Sequence, residues 1–303
     1  MLALLTHSAC LEHDNGPGHP EAPERLVAVR SRLDEDLVRT SRARWEEAPL
    51  ASDADLVLVH TASYLERLRR VAASGGGWLD PDTAVGPGSV EAAWRAAGAA
   101  VRAAEIAMAG EGPAFAAIRP PGHHATASRA MGFCLLNNAA VAARVALERL
   151  GAGRVLIVDW DVHHGNGTAD VVREEGRVRY VSLHQWPHYP GTGLADDTGC
   201  GNLFHVPRGP GLPRERYVND LLAAVRAAVA DWEPDLVVHS AGFDGLRGDP
   251  LGGFTLEPDD CAAIVRGVRA LAPRAAVLSV LEGGYAPARV AEAASLHAAA
   301  LAD

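Results

Sequence analysis

Between Ile157 and Gly167 the chain runs IVDWDVHHGNG, an apolar stretch that gives way to two aspartates and two adjacent histidines. Asp161 and His163 lie two positions apart, so in extended backbone their side chains project to the same side, as does that of Asp159. A catalytic zinc ion takes three protein ligands from His and carboxylate and keeps a further position for water. Asp161 and His163 supply two of them. Such a pair alone also fits a polar strand end, but a third oxygen ligand is at hand in HSAGFDGLRGDPLGG, where Asp244 follows another apolar run in a Gly-rich loop. Taken singly, Asp244 is also an ordinary loop-capping residue. The adjacent His123 and His124 in IRPPGHHATASRAMGF suit general acid and base work beside a metal, because imidazole titrates near neutral pH and is tuned by its partners. A surface histidine pair is the plainer alternative. Tyr285, after two glycines in LEGGY, offers a hydroxyl able to hold a developing oxyanion, or simply a packed tyrosine.

These groups need a scaffold that brings distant segments together. Short apolar, β-branched runs predict strands at Ala3–Thr6, Ala114–Ile118, Val155–Asp159, Val178–Leu183, Leu236–Ser240 and Ala276–Val280. Between them, segments of helical period predict helices at Ala22–Glu35, Ser89–Ala109, Asn137–Leu150, Thr168–Glu175, Arg214–Asp231, Glu257–Leu271 and Ala288–Leu301. Strand and helix in alternation mean a parallel sheet covered on both faces. Residues 75–88, 119–132, 184–202 and 241–255 read as long polar loops, a length that in a compact domain tends to be functional. Most of the chemically interesting clusters follow a strand directly, and in open α/β sheets ligands bind at the carboxyl ends of strands. The loops are therefore expected to converge on one pocket, in a single domain over residues 1–303 with no internal repeat or dividing linker.

Composition narrows the partners. Hydrophobic residues make up 48% and charged residues 22%, an ordinary globular balance. Asp and Glu outnumber Lys and Arg by 38 to 28, and the net charge of −10 argues against a nucleic-acid surface and suits a cationic substrate. The four cysteines, Cys10, Cys134, Cys200 and Cys261, form no CxxC pair, so neither a zinc ribbon nor a disulfide framework is indicated, as expected of a cytoplasmic protein. The apolar start is short and lacks a basic flank, which reads as a strand rather than a signal peptide. No apolar run approaches the roughly 20 residues of a membrane span.

Taken together and in this order, PPGHHA, GFCLLNN, VDWDVHHGNGT, SLHQWPHYPGTG, HSAGFDGLRGDPLGG and EGGY resemble the zinc-dependent histone deacetylase family. GHPEAPERL near the start is similar to the class II branch and its bacterial relatives, the histone-deacetylase-like and acetylpolyamine amidohydrolases. The resemblance runs from about His19 to Tyr285. It implies the arginase-like α/β fold, a three-layer domain with a mostly parallel eight-stranded sheet between helices. It further implies Asp161, His163 and Asp244 as zinc ligands, His124 as general base and then acid, and His123 as its electrostatic partner. Tyr285 would be the oxyanion donor, with Asp159 orienting His123 and Asn166 orienting His124. Asn166 departs from the aspartate of class I and agrees with class II. A structural potassium ion would sit on Asp159, Asp161, His163, Ser182 and Leu183. Gly132, Phe133, Tyr189, Leu251 and Gly283 would line a narrow acyl-lysine channel, and Asp82 with Thr83 would form its rim. Leu251 stands where a polyamine-selective relative carries a gatekeeping carboxylate.

The implied activity is hydrolysis of an acylated amine, acyl-lysine first and acetylpolyamine second. The donor set also accepts ferrous iron or cobalt, since affinity alone does not select a metal. A binuclear arginase-type hydrolase would need further carboxylate ligands bridging ions about 4 Å apart. An inactive acyl-amine-binding module would be expected to lack a ligand, the His pair or Tyr285. Oligomeric state is left open by the sequence.

Overall fold

The segment LALLT is buried at every position and forms the first strand, β1 (Leu2–Thr6). A computed structural model, describing all 303 residues, places nine further strands along the chain. They are β2 (Ala43–Glu47), β3 (Gly77–Asp80), β4 (Thr83–Val85), β5 (Ala114–Ala116), β6 (Val155–Asp159), β7 (Val178–Gln185), β8 (Leu203–Arg208), β9 (Leu236–Ala241) and β10 (Ala276–Leu281). The α-helices are α1 (Pro23–Leu33), α2 (Asp53–Leu56), α3 (Ala62–Ala73), α4 (Ser89–Met108), α5 (Asn138–Arg149), α6 (Asn166–Val172), α7 (Arg214–Val229), α8 (Pro258–Leu271) and α9 (Pro287–Ala302).

Eight strands form one sheet in the order β2-β1-β5-β10-β9-β6-β7-β8, and every pairing in it is parallel rather than merely most of them. Parallel strands are buried on both faces and so read as continuous apolar runs, which is why VLIVD of β6 and LVVHSA of β9 are buried throughout. The helices form two rows: α4 packs on α5 and α5 on α6, while α1, α9, α8 and α7 touch in succession. Ala, Leu and Val from both rows and the sheet merge into one large apolar core. No helix is long and apolar enough to cross a membrane.

Several boundaries and elements differ from the sequence expectation. The edge strands β2 and β8 and the helix α3 are additional, and the expected loop 75–88 contains the hairpin β3–β4, a separate two-stranded antiparallel sheet. The helix expected at Thr168–Glu175 begins two residues earlier, at Asn166, and ends at Val172. The first long helix ends at Leu33 and passes into one wider π turn, Asp34–Val38.

A polar group is sealed into this core. Ser279 Oγ lies 3.1 Å from His239 Nδ1 and 2.9 Å from His297 Nε2, and all three residues are fully buried. Burial holds His239 down to about 3 and His297 well below its ordinary value. His13, His60 and His184 are likewise pushed down by burial, to about 4, about 4 and about 3. In the unfolded chain such imidazoles titrate near 6.5, so on acidification the unfolded state takes up protons that the fold refuses, and stability falls. The expected result is a denaturation midpoint that drops continuously once pH passes below about 6.5. A midpoint that stays level between about pH 7 and pH 5 would remove the buried-histidine account.

Candidate active site

The four adjacent strands β5, β10, β9 and β6 end level with one another. Asp159 is opposite Ser240, Ser240 opposite Val280, and Val280 opposite Ala116. The loops leaving these ends carry His123 and His124, Tyr285, Asp244, and Asp161 with His163. The sheet order thus brings together residues far apart in sequence, such as Gly122 and Glu282, which are 160 positions apart and joined by a hydrogen bond.

At the centre, the metal-capable atoms of Asp161, His163 and Asp244 all lie within 4.8 Å of one another, and all three residues are buried. His163 Nδ1 is 3.0 Å from Asp161 Oδ1 and 3.1 Å from Asp244 Oδ2. The second oxygen of each carboxylate is tethered by backbone: Gly283 N–H donates to Asp161 Oδ2 at 2.9 Å and Val162 N–H to Asp244 Oδ1 at 2.7 Å. One oxygen of each therefore faces the shared point. Burial, then the charge of Asp161, raises Asp244 to about 7. Burial would lower His163, but its hydrogen bonds to Asp161 and Asp244 outweigh this and raise it to about 10. Two buried carboxylates this close are costly without a cation between them, and one nitrogen with two carboxylate oxygens is a donor set for a divalent ion. The residues fit a metal.

The two histidines beside this centre are driven apart electrostatically. Burial opposes the charge on His123, but Asp161 and Asp159 raise it to about 10, with Asp159 Oδ2 3.1 Å from Nδ1. His124, whose ring centroid is 4.0 Å away, is held well below the usual range by burial and by the neighbouring His123 and His163. His124 Nδ1 lies 2.8 Å from Asn166 Oδ1, while the amide nitrogen of Asn166 donates to Met131 Sδ. An amide oxygen only accepts, so the proton sits on Nδ1 and the Nε2 lone pair is free to act as a base. Environments that push two titratable groups apart are how acid and base roles are assigned.

A cavity of about 340 Å³ opens over these groups, lined by Asp82, His124, Gly132, Phe133, His163, His188, Tyr189, Pro250, Leu251 and Tyr285. Gly132 and Phe133 both have positive φ, 57° and 66°, between Met131 and Cys134, which pair across the turn. Phenylalanine is strained in this conformation. The strained turn is held by Asp82 and Thr83: Gly132 N–H donates to Asp82 Oδ1 at 3.3 Å and Phe133 N–H to Thr83 Oγ1 at 3.0 Å. Any Cβ at Gly132 would collide with the His124 ring. Two residues expected on the rim or wall lie elsewhere. Thr83 is fully buried beneath the turn, so it supports the rim instead of meeting solvent. Gly283 backs the two carboxylates rather than the cavity.

Among known proteins, the model of the histone deacetylase domain matches residues 19–301. The chain belongs to the histone deacetylase family. It is 41% identical to the histone deacetylase-like amidohydrolase of Pseudomonas aeruginosa, over 95% of this chain and 82% of that one. It is 37% identical to a probable deacetylase of Methanothermobacter thermautotrophicus, over 94% of this chain and 86% of the relative. In three dimensions it is similar to the HDA15 HD domain, with a TM-score of 0.93 and 36% identity covering 99% of this chain and 90% of that one. Membership makes it a hydrolytic deacetylase, and the family's chemistry implies a divalent metal.

This histone deacetylase site also rests on residues that the sequence did not single out. Glu282 accepts from the backbone N–H groups of Gly122 (2.6 Å) and His123 (3.1 Å) and from Ser240 Oγ (3.1 Å), which fixes the His-His segment to β9 and β10. Tyr180 O–H donates to Asp159 Oδ2 at 2.8 Å. Arg25 donates to the carbonyls of Glu282, at 2.6 Å, and of Gly284, and its guanidinium lies 4.9 Å from the Tyr285 ring centroid. Glu21 joins Arg25 to Arg119 in the same buried network. Arg25 did leave a signal: it falls with Leu26, Val29 and Leu33 on the buried stripe of α1, where an unpaired charge would not be tolerated.

Proposed function

We propose that this deacetylase hydrolyses the amide between an acyl group, acetyl first, and the amine of a lysine side chain or a similar small amine. The observation that carries the reading is the meeting of the Asp161, His163 and Asp244 cluster, the split histidine pair and the Tyr285 hydroxyl at the foot of one cavity. A divalent ion held by Asp161, His163 and Asp244, zinc first with ferrous iron as the cellular alternative, would supply Lewis acidity toward the carbonyl and lower the pKa of water. The other steps belong to side chains. The substrate stem enters between Phe133 and Tyr189, with Asp82 at the mouth to accept from its N–H groups. His124 takes the proton of the attacking water through Nε2, while Asn166 accepts from Nδ1–H. His123 stays protonated against Asp159 and lends positive charge. Tyr285 donates to the developing oxyanion. The proton on His124 then passes to the leaving nitrogen, and a carboxylate and a free amine depart.

Asn166 supports the cation on His124 less than a carboxylate would. A structural potassium ion on Asp159, Asp161, His163, Ser182 and Leu183 belongs to the same proposal: all five residues are buried, and the register sets Asp159 directly opposite Ser182. Residues 1–303 are read as one catalytic domain. Acetylpolyamines are the second substrate class, placed behind acyl-lysine because Leu251 offers no carboxylate to an internal ammonium.

Deacylation of a fluorogenic acetyl-lysine peptide, run beside acetylputrescine and acetylspermidine, tests the reading. Activity is expected to vanish on chelation and return with zinc. Stoichiometric metal binding with no cleavage of any acyl-amine would instead favour a binding module, and a clear preference for the acetylpolyamines would reverse the substrate order.

A further inference from the structure

The loop after β7 sets one more imidazole on the cavity, and the mechanism above has no use for it. His188 is half-buried, and its ring lies face to face with that of His163, 15° from parallel, with centroids 4.9 Å apart. A metal-binding histidine usually has its ring fixed by a hydrogen bond from the nitrogen that does not face the metal. His163 makes its ring hydrogen bonds through Nδ1, to Asp161 and Asp244, and no protein group bonds its Nε2. The orientation of its ring therefore depends on what packs against its face, and His188 is stacked there.

The same side chain reaches a second loop. His188 Nε2 is 2.9 Å from the carbonyl oxygen of Leu251. A carbonyl only accepts, so Nε2 carries the proton and donates. Leu251 is thereby held between two ties, since its own N–H donates to Asp249 Oδ1 at 2.9 Å. Asp249 Oδ2 accepts from the N–H of Tyr285 at 2.6 Å, so the Leu251 wall and the tyrosine are set by one carboxylate.

We propose that His188 is a positioning residue with two separable actions: its ring holds the imidazole of His163 for the metal, and its N–H fixes the Leu251 wall against which the substrate stem lies. The cavity half rests on the functional reading given above; the metal half does not. Two substitutions separate the actions. His188→Phe keeps a flat ring over His163 and removes the donor to Leu251. His188→Gln keeps a donor at similar reach and removes the stacked ring.

Zinc titration of the chelator-stripped protein by calorimetry, with Michaelis parameters for the acetyl-lysine peptide, reads both. The Gln variant is expected to bind zinc more weakly by on the order of 10-fold, the size of effect seen when support of a metal ligand is lost. The Phe variant is expected to keep wild-type zinc affinity and to raise KM about 5-fold, the worth of one hydrogen bond, with a smaller change in kcat. Equal zinc affinity in the two variants, whether both are weakened or both match wild type, overturns the proposal. The zinc titration decides it even if no acyl-amine is turned over, in which case it is the functional reading that has failed.

Discussion

Replacing Tyr285 with Phe is expected to lower kcat on an acetyl-lysine peptide by about 100-fold or more, the usual cost of one oxyanion donor. The phenyl ring fills the same space, against Phe133 at 5.8 Å between centroids and under the Arg25 guanidinium, so the packing survives. Only the hydroxyl is lost. Burial first, with Asp244 and Asp161 adding to it and Arg25 opposing, pushes that hydroxyl well above its ordinary pKa, so it remains a donor throughout the working range. No protein group accepts from it, which leaves it available to substrate. Zinc affinity measured by calorimetry should not move, because the tyrosine touches none of the three cluster residues through a hydrogen bond. A fall in kcat of less than about 10-fold would take the oxyanion role from Tyr285 and assign it elsewhere in the site.

The second large effect is expected at a residue with no side chain. A Cβ built on Gly283 would lie 2.5 Å from Asp161 Oδ2 and closer still to Asp244 Oδ2. Neither carboxylate can give way: Asp161 accepts from the N–H of Gly283 itself and of His163, and Asp244 from the N–H of Val162. Gly283→Ala should therefore displace the cluster and weaken zinc binding by about 100-fold or more, with deacylation falling in parallel. Gly209→Ala is the control, since a Cβ there meets nothing within 4 Å. Zinc affinity in the Gly283 variant equal to that of the control would mean that the two carboxylates are not held where the structure has them.

The two expectations differ in how far they could be foreseen. The cluster residues, the histidine pair and Tyr285 each have a plainer reading taken singly, and announce themselves because the motifs that carry them stand in one order along the chain. The six strands read from sequence are those whose side chains are apolar on both faces. The edge strands β2 and β8 escape because an edge is half solvated: ARWEE and LFHVPR carry charge and are only partly buried, so neither forms a continuous apolar run. With β2 unread, nothing in the strand-helix alternation calls for α3, although Tyr64, Leu65, Leu68 and Ala72 give it a clear buried stripe. The supports of the site were hidden for a different reason. Glu282, Asp249, Tyr180 and His188 have no role that residue type or spacing reveals, and only the burial and partners that the fold confers separate them from surface counterparts.

Thr83 shows the converse error. Its neighbour Asp82 lines the cavity, but the hairpin turns Thr83 inward, and one residue of register decides which of the two faces the cavity.

That hairpin, β3–β4, shares no ladder with the eight-stranded sheet. The groups proposed for the chemistry are mounted on the ends of central parallel strands, where a change propagates into the core. The mouth is assembled from a detached ribbon and the loops that carry Tyr189 and Leu251. Evolution can thus lengthen, recharge or exchange the mouth while the machinery beneath it stays fixed, and a lineage can acquire a new clientele without relearning how to cut the bond.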